Sequence, residues 1–168
     1  MDYRQAFYIN WDMQINCPAE QLILNTYRTT IEYYLSRQPF NFKLFYYPQK
    51  EYDIDIVTIR NIPKNIELEN LRHFTLCVLD NTLLNKYSAY IWRDHFICPR
   101  LGMLLNNADE KHPVNCIITD DWRIVTTSEI KSGESLRLDY GYNEDNYPPI
   151  PQEIIDIRKE LFTNYQKI

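Results

Sequence analysis

Two tyrosines separated by a single glycine end the stretch GESLRLDYGYN, residues 133–143. Tyr140 and Tyr142 lie on the same side of an extended chain, because side chains alternate across a strand. The chain has only three glycines, and glycine weakens a strand unless the backbone must turn or come close to another group. The pattern therefore indicates a strand end at which the backbone approaches a ligand. Tyrosine is abundant in this chain, however, and most tyrosines pack in cores or at their rims.

Histidine and cysteine show no comparable grouping. The three histidines are His73, His95 and His112, and the four cysteines are Cys17, Cys77, Cys98 and Cys116. The cysteines are irregularly spaced and lack the C-x2-C pairs of a zinc site. We therefore expect no metal site and no nucleophile activated by histidine, and we expect reduced, buried thiols.

The length and charge of the chain limit what the protein can be. At 168 residues it suits one compact domain that buries roughly 70% of the surface of the unfolded chain. The net charge of −5 argues against direct nucleic-acid binding and favours a basic peptide as partner. No apolar run approaches the roughly 20 residues that cross a bilayer, and the first residues do not resemble a signal peptide. We expect an intracellular protein that binds no membrane, either nuclear or cytoplasmic, or encoded by a virus and acting in the host cell.

Hydrophobic periodicity predicts a helix near each end and short strands between them. A helical stripe runs through residues 18–37, and another follows Pro151. Strand patterns occur in residues 40–47, 53–62, 73–79 and 87–97, and in a hairpin around Asp120 and Asp121. This order predicts a β-rich α+β fold. We divide it into an extension over residues 1–50 that carries the amphipathic helix (18–37), a core over 51–147, and a helix over 148–168. We expect this last helix to cover the ligand site at the end of the strand that carries Tyr140 and Tyr142.

The order of motifs in the second half resembles a SET domain, the fold of protein lysine methyltransferases. The family has an Asn-His-Ser…Pro-Asn segment and, after a hairpin, an I-x-x-G-E-E-L-x-x-x-Y-G strand. Ten residues of LLNNADEKHPVNCIITDDWRIVTTSEIKSGESLRLDYGYN match this pattern in the same order. These are Asn106, Pro113, Asn115, Cys116, Ile130, Gly133, Glu134, Leu136, Tyr140 and Gly141. Residues 53–66 are similar to the family's opening strand. The resemblance implies a SET-like fold of several short sheets with a threaded C-terminal pseudo-knot, in which hairpin 114–128 and strand 135–140 lie against residues 103–108.

The resemblance also implies an activity, the transfer of a methyl group from S-adenosylmethionine to a lysine of a basic protein such as a histone. Such a transfer depends on positioning and on desolvation of the amine, which lowers its pKa. Carried over from the family, Tyr140 would orient the amine and Tyr142 would form a wall of the lysine channel. Leu138 falls where many members carry an aromatic residue that governs how many methyl groups are added.

The cofactor site that the resemblance implies differs from the family pattern. Asn106, Asn107 and Ala108 stand where most members have Asn-His-Ser, which is similar to the PR-type subset of SET domains. Ile54 and Asp55 belong to the opening strand, where the family places glycines that allow backbone to touch the methionine end of the cofactor. Asp53 and Asp55 could therefore either collide with the cofactor or pair with its ammonium group, and the sequence leaves both possible.

Two other interpretations fit the same residues. The chain could be a SET-like protein-interaction module that has lost cofactor binding, for which Asp53, Asp55 and Asn107 are the support. It could also be a small structural or adaptor protein in which DYGYN is only the end of a strand.

Overall fold

The computed structural model describes residues 19–36, 42–72, 76–77, 81–92, 96–98, 100–141 and 149–166. Within these residues the helices are α1 (Ala19–Ser36), α2 (Asn81–Lys86), α3 (Leu101–Leu104) and α4 (Gln152–Gln166). The strands are β1 (Phe42–Tyr47), β2 (Asp53–Thr58), β3 (Glu67–Asn70), β4 (Leu76–Cys77), β5 (Ile91–Trp92), β6 (Phe96–Ile97), β7 (Asn106–Asn107), β8 (Cys116–Ile118), β9 (Arg123–Thr126) and β10 (Arg137–Leu138). The predicted α+β fold of several short sheets with a helix near each end is confirmed. None of the described helices is long and apolar enough to cross a membrane.

Helix α1 agrees with the predicted helix at residues 18–37 to within one residue at each end. Its buried face repeats every three to four residues, as an amphipathic helix requires. That face consists of Leu22, Ile23, Thr26, Tyr27, Thr30 and Ile31. Helix α1 packs against α4, and at the exposed edge of the contact Arg28 Nη2 lies 2.7 Å from Glu160 Oε2. The two helices thus bring together the beginning and the end of the described chain.

One hydrophobic core extends from Leu22 in α1 to Phe162 in α4. The antiparallel pair β1–β2 lies at its edge, and the ring of Tyr46 stacks on that of Phe162 with centroids 4.2 Å apart. Burial of a side chain of this size stabilises a fold by about 2–3 kcal/mol. The helices and the core strands therefore share one interior, while the division at residues 50 and 147 stays a prediction.

The hairpin predicted around Asp120 and Asp121 is confirmed. Strands β8 and β9 pair antiparallel, and the Trp122 backbone N–H donates to the Thr119 carbonyl at 3.0 Å in the turn between them. Strand β3 adds to the other edge of β9.

The strand predicted over residues 87–97 is wrong in part. Ser88–Tyr90 form a 3₁₀ turn, and β5 and β6 are the strands among the described residues of this stretch, which leave out 93–95. The turn forms because Tyr87 and Tyr90 both enter the core. The Tyr87 N–H donates to the Leu83 carbonyl of α2, and the Tyr90 N–H donates to the Tyr87 carbonyl, both at 2.9 Å. Of the stretch predicted over residues 73–79, β4 is a strand paired with β6, and the rest lies outside the described residues.

Residues 133–138 lie between three earlier parts of the chain, as the resemblance to a SET domain implies. Gly133 and Leu136 donate to carbonyl groups of β2 at 2.8 and 2.9 Å. Strand β10 pairs parallel with β7. The buried Asn115 completes the arrangement, since its side chain donates to the Ser135 carbonyl and accepts from the Arg137 N–H, both at 2.8 Å. The predicted packing of strand 135–140 against residues 103–108 is confirmed, and the hairpin contacts that strand through Asn115 and β8.

Candidate functional site

A cavity of about 430 Å³ opens where β2, β7, β10 and the C-terminal helix meet. Six of the residues predicted from sequence line it, namely Ile54, Asp55, Asn106, Asn107, Ala108 and Tyr140. These residues come from three segments that are far apart in sequence. Their convergence follows from the position of residues 133–138 between β2 and β7.

The two asparagines of β7 hold the walls of the cavity together. Asn106 Nδ2 donates to the Ile54 carbonyl at 2.6 Å, which fixes β2 against β7. Asn107 Oδ1 accepts the backbone N–H of Tyr140 at 2.8 Å, and the Ala108 N–H donates to the Leu138 carbonyl at 2.8 Å. Each asparagine therefore positions the backbone of a neighbouring segment at the cavity wall.

Tyr140 is half-buried, and its ring packs against the core. Its hydroxyl donates a hydrogen bond to the carbonyl of Leu105. The phenol oxygen keeps its lone pairs, because a hydroxyl that donates one hydrogen can still accept. Tyr140 can therefore present an acceptor to a group bound in the cavity.

Gly141 has a backbone φ of +75°, a conformation that side chains other than glycine rarely adopt. An added Cβ would meet no described atom within 4 Å. The glycine between the two tyrosines is thus required by the backbone conformation. It is not required to make room for a neighbouring group of the described residues.

Asp55 is buried and points away from open solvent. Its Oδ2 accepts from the Ser135 hydroxyl at 2.7 Å and lies 3.4 Å from Arg137 Nη2. Arg137 Nη1 also donates to the Asn107 carbonyl at 3.2 Å. Two atoms of this pair, Asp55 Oδ1 and Arg137 Nε, are buried and have no hydrogen-bond partner among the described residues. A buried polar atom without a partner carries a desolvation cost of about 1–3 kcal/mol. Asp55 can still accept one more hydrogen bond, and Arg137 can still donate one.

Asp53 also lines the cavity but is only half-buried. Its Oδ1 accepts the backbone N–H of Ile54 at 2.9 Å. The two aspartates of β2 therefore differ, since one is part of an ion pair and the other binds its own strand.

Residues 109–112, with the sequence Asp-Glu-Lys-His, form a tight turn at the cavity rim. Asp109 Oδ1 accepts the backbone N–H groups of Lys111 and His112, and it lies 2.9 Å from His112 Nδ1. Burial raises the pKa of Asp109, but these hydrogen bonds outweigh it and hold the pKa below its ordinary value. Asp109 therefore stays ionised near neutral pH and orients the imidazole.

Sequence reasoning missed the residues that the helices contribute. Tyr27 of α1, Tyr90 and Arg158 of α4 all line the cavity. A signal for Arg158 was present, because Ile154, Ile157, Arg158 and Leu161 follow the i, i+3, i+4, i+7 spacing of one helix face. All four are buried.

Of the two predicted channel residues, Leu138 is described by the structure and is not among the residues that line the cavity. Leu138 is buried in the core with 1% of its surface exposed. Tyr142 lies outside the described residues. The roles of both stay predictions. No group of three or more histidine, cysteine or acidic side chains that could hold a metal occurs in the described part of the chain.

Neither a family model nor a curated protein matches this sequence. Solved structures do match. A protein of Plasmodium falciparum described as a histone methyltransferase is 14% identical, with 61% of this chain and 98% of that chain covered and a TM-score of 0.42. The methyltransferase domain of human PR domain-containing protein 2 is 20% identical, covers 71% and 88%, and has a TM-score of 0.41. The SET domain of the RIZ1 tumor suppressor is 18% identical, covers 79% and 87%, and has a TM-score of 0.37. These likenesses concern the course of the chain and say nothing of a reaction.

Proposed function

We propose that this protein transfers a methyl group from S-adenosylmethionine to a lysine side chain of a basic protein such as a histone. One observation carries the proposal. Residues that were predicted to bind the cofactor and to orient the amine, from β2, β7 and the end of β10, line one cavity.

The residues present fit the cofactor. A volume of about 430 Å³ lies within the roughly 300–1,000 Å³ of small-molecule sites. Asp55 Oδ1 is a buried acceptor without a hydrogen-bond partner among the described residues, and such an acceptor suits the ammonium of an amino-acid end. When bound, S-adenosylmethionine supplies a sulfonium methyl group that passes to a neutral amine nitrogen while the sulfur leaves as a thioether.

The protein's part in such a transfer is to position and desolvate the amine. Tyr140 presents its phenol oxygen to an amine N–H, while the Leu105 carbonyl fixes the direction of the hydroxyl. Tyr27, Tyr47 and Tyr90 add aromatic surface to the cavity. Aromatic rings stabilise cations, and exclusion of water lowers the pKa of an amine. The net charge of −5 favours a basic substrate.

A protein-interaction module without catalysis is the second candidate. The ion pair of Asp55 and Arg137 favours it, because Asp55 belongs to β2, the strand in which the family has glycines, and its side chain is engaged by Arg137. Calorimetry with S-adenosylmethionine, followed by a labelled-methyl assay on histones, separates the two candidates. Binding and transfer support the methyltransferase, whereas no binding at millimolar ligand concentration contradicts it and leaves the module.

Asn106→Ala should weaken the binding of S-adenosylmethionine about tenfold, which corresponds to about 1.4 kcal/mol. The substitution removes the bond from Asn106 Nδ2 to the Ile54 carbonyl and frees β2 from β7. Calorimetry measures the change. Asn61→Ala is a matched control, because it also removes one bond between an asparagine side chain and the backbone, from an exposed loop away from the cavity. Equal affinities for the Asn106→Ala and Asn61→Ala proteins would remove Asn106 from the site.

A further inference from the structure

Arg158 of α4 is a buried cation in the wall of the cavity. Only 5% of its surface is exposed. Its Nε donates to the Tyr27 hydroxyl at 2.8 Å, and its Nη2 lies 3.2 Å from the Tyr90 hydroxyl. The guanidinium is thereby held by one side chain from α1 and one from the turn before β5.

No carboxylate among the described residues forms an ion pair with Arg158. Its two partners do not supply a charge either, because burial raises the pKa of Tyr27 and, more strongly, that of Tyr90, so both phenols are neutral at physiological pH. A buried charge without an opposite charge is strongly destabilising. Such a residue at a cavity wall is suited to an anionic ligand.

The second buried arginine of the cavity is in a different position. Arg137 Nη2 lies 3.4 Å from Asp55, and its Nη1 lies 4.0 Å from Asp109. Two carboxylates thus already face the Arg137 guanidinium. A third anion would meet the repulsion of both carboxylates at Arg137. At Arg158 it would meet neutral hydroxyls and the charge of one carboxylate, that of Asp53, which acts on Arg158 from beyond ion-pair distance.

We propose that Arg158 recognises the carboxylate at the amino-acid end of the ligand, and that α4 is therefore part of the binding site. This inference rests on the proposed function, because it takes S-adenosylmethionine as the ligand. An arginine presents several N–H donors in a planar fork, so Arg158 can keep its two tyrosines and still bind a carboxylate oxygen. Asp53 and Asp55 on β2 offer acceptors for the ammonium of the same ligand end.

The test compares two ligands that differ by one carboxylate, S-adenosylmethionine and its decarboxylated derivative. Calorimetry on the unmutated protein should show at least about tenfold tighter binding of the carboxylated ligand. Arg158→Met should weaken S-adenosylmethionine binding about tenfold and leave binding of the decarboxylated ligand unchanged. The difference between the ligands should then disappear.

Arg28→Met is the matched control. It also removes an arginine between α1 and α4, where Arg28 pairs with Glu160, but it lies outside the cavity wall. It should leave the preference for the carboxylated ligand intact. If Arg158→Met does not fold, Arg158→Gln keeps N–H donors for the tyrosines and removes only the charge.

Three results would overturn the inference. The first is equal affinity of the unmutated protein for both ligands. The second is an equal loss of affinity for both ligands in the Arg158 variants. The third is a selective loss of affinity for the carboxylated ligand in the Arg137→Met protein and not in the Arg158 variants. In each of them S-adenosylmethionine still binds, so the proposed function stands. If the unmutated protein binds neither ligand, the proposed function fails and the inference fails with it.

Discussion

Tyr140→Phe is expected to slow methyl transfer about 100-fold, which corresponds to about 2.7 kcal/mol in the activation barrier. The substitution keeps the ring and removes the hydroxyl that would orient the amine, so the loss is one of positioning. The hydroxyl also donates to the Leu105 carbonyl, and we therefore expect the free energy of unfolding to fall by about 1 kcal/mol. A labelled-methyl assay at saturating cofactor, together with thermal melting, measures both effects.

Tyr87→Phe separates catalysis from stability. Tyr87 is buried, and its hydroxyl donates to Glu20 Oε1 at 2.8 Å, but it does not line the cavity. The variant should lose a comparable amount of stability and keep its transfer rate. Full activity in the Tyr140→Phe protein, or an equal loss in the Tyr87→Phe protein, would show that the Tyr140 hydroxyl has no place in the reaction.

Gly102→Ala is expected to destabilise the fold by about 3 kcal/mol. Within a helix this change usually stabilises by about 1 kcal/mol. Here an added Cβ would lie 2.4 Å from Cys98 Cβ and 3.2 Å from Leu71 Cδ1. A Cβ is fixed to its backbone and cannot move aside as the end of a long side chain can. Urea unfolding followed by circular dichroism measures the loss.

Gly133→Ala provides the comparison for Gly102→Ala. Gly133 has a φ of +92°, and an added Cβ would meet nothing within 4 Å. The cost is therefore conformational and about 1–2 kcal/mol. If both variants lose the same free energy, close packing does not explain Gly102.

The elements that could be predicted from sequence are those with a clear period and a buried face. Helix α1 repeats its apolar residues at helical spacing, and β2 begins with alternating aspartate and isoleucine. Helix α2 and strands β3 and β7 were not predicted. Helix α2 is only six residues long, and β3 has the polar sequence Glu-Leu-Glu-Asn and forms because the edge of β9 is available for pairing. Short elements of this kind depend on tertiary contacts more than on their own sequence.

The candidate site could be predicted only where its residues belong to a motif. Asn106, Asn107 and Tyr140 follow a recognisable order, and the structure brings them to one cavity. Arg158 and Tyr27 lie on helices outside that motif, and a single arginine in an amphipathic helix usually faces solvent. From the sequence we explained the glycine at position 141 by a close approach of the backbone to a ligand. The positive φ of Gly141 explains it by backbone conformation, which residue spacing does not reveal.

The position of residues 133–138 between β2, β7 and Asn115 has a consequence for synthesis of the protein on the ribosome. Thr58 and Glu134, which are hydrogen-bonded, are 76 positions apart along the chain. Strand β2, strand β7 and the β8–β9 hairpin all leave the ribosome before the segment that joins them. Until residues 133–138 are synthesised, apolar residues such as Ile56 lack a neighbouring strand and stay exposed to water. Exposed apolar surfaces of this kind promote aggregation. The part of the cavity wall that β2 and β7 provide is thus synthesised early, whereas the part that Tyr140 and α4 provide leaves the ribosome last.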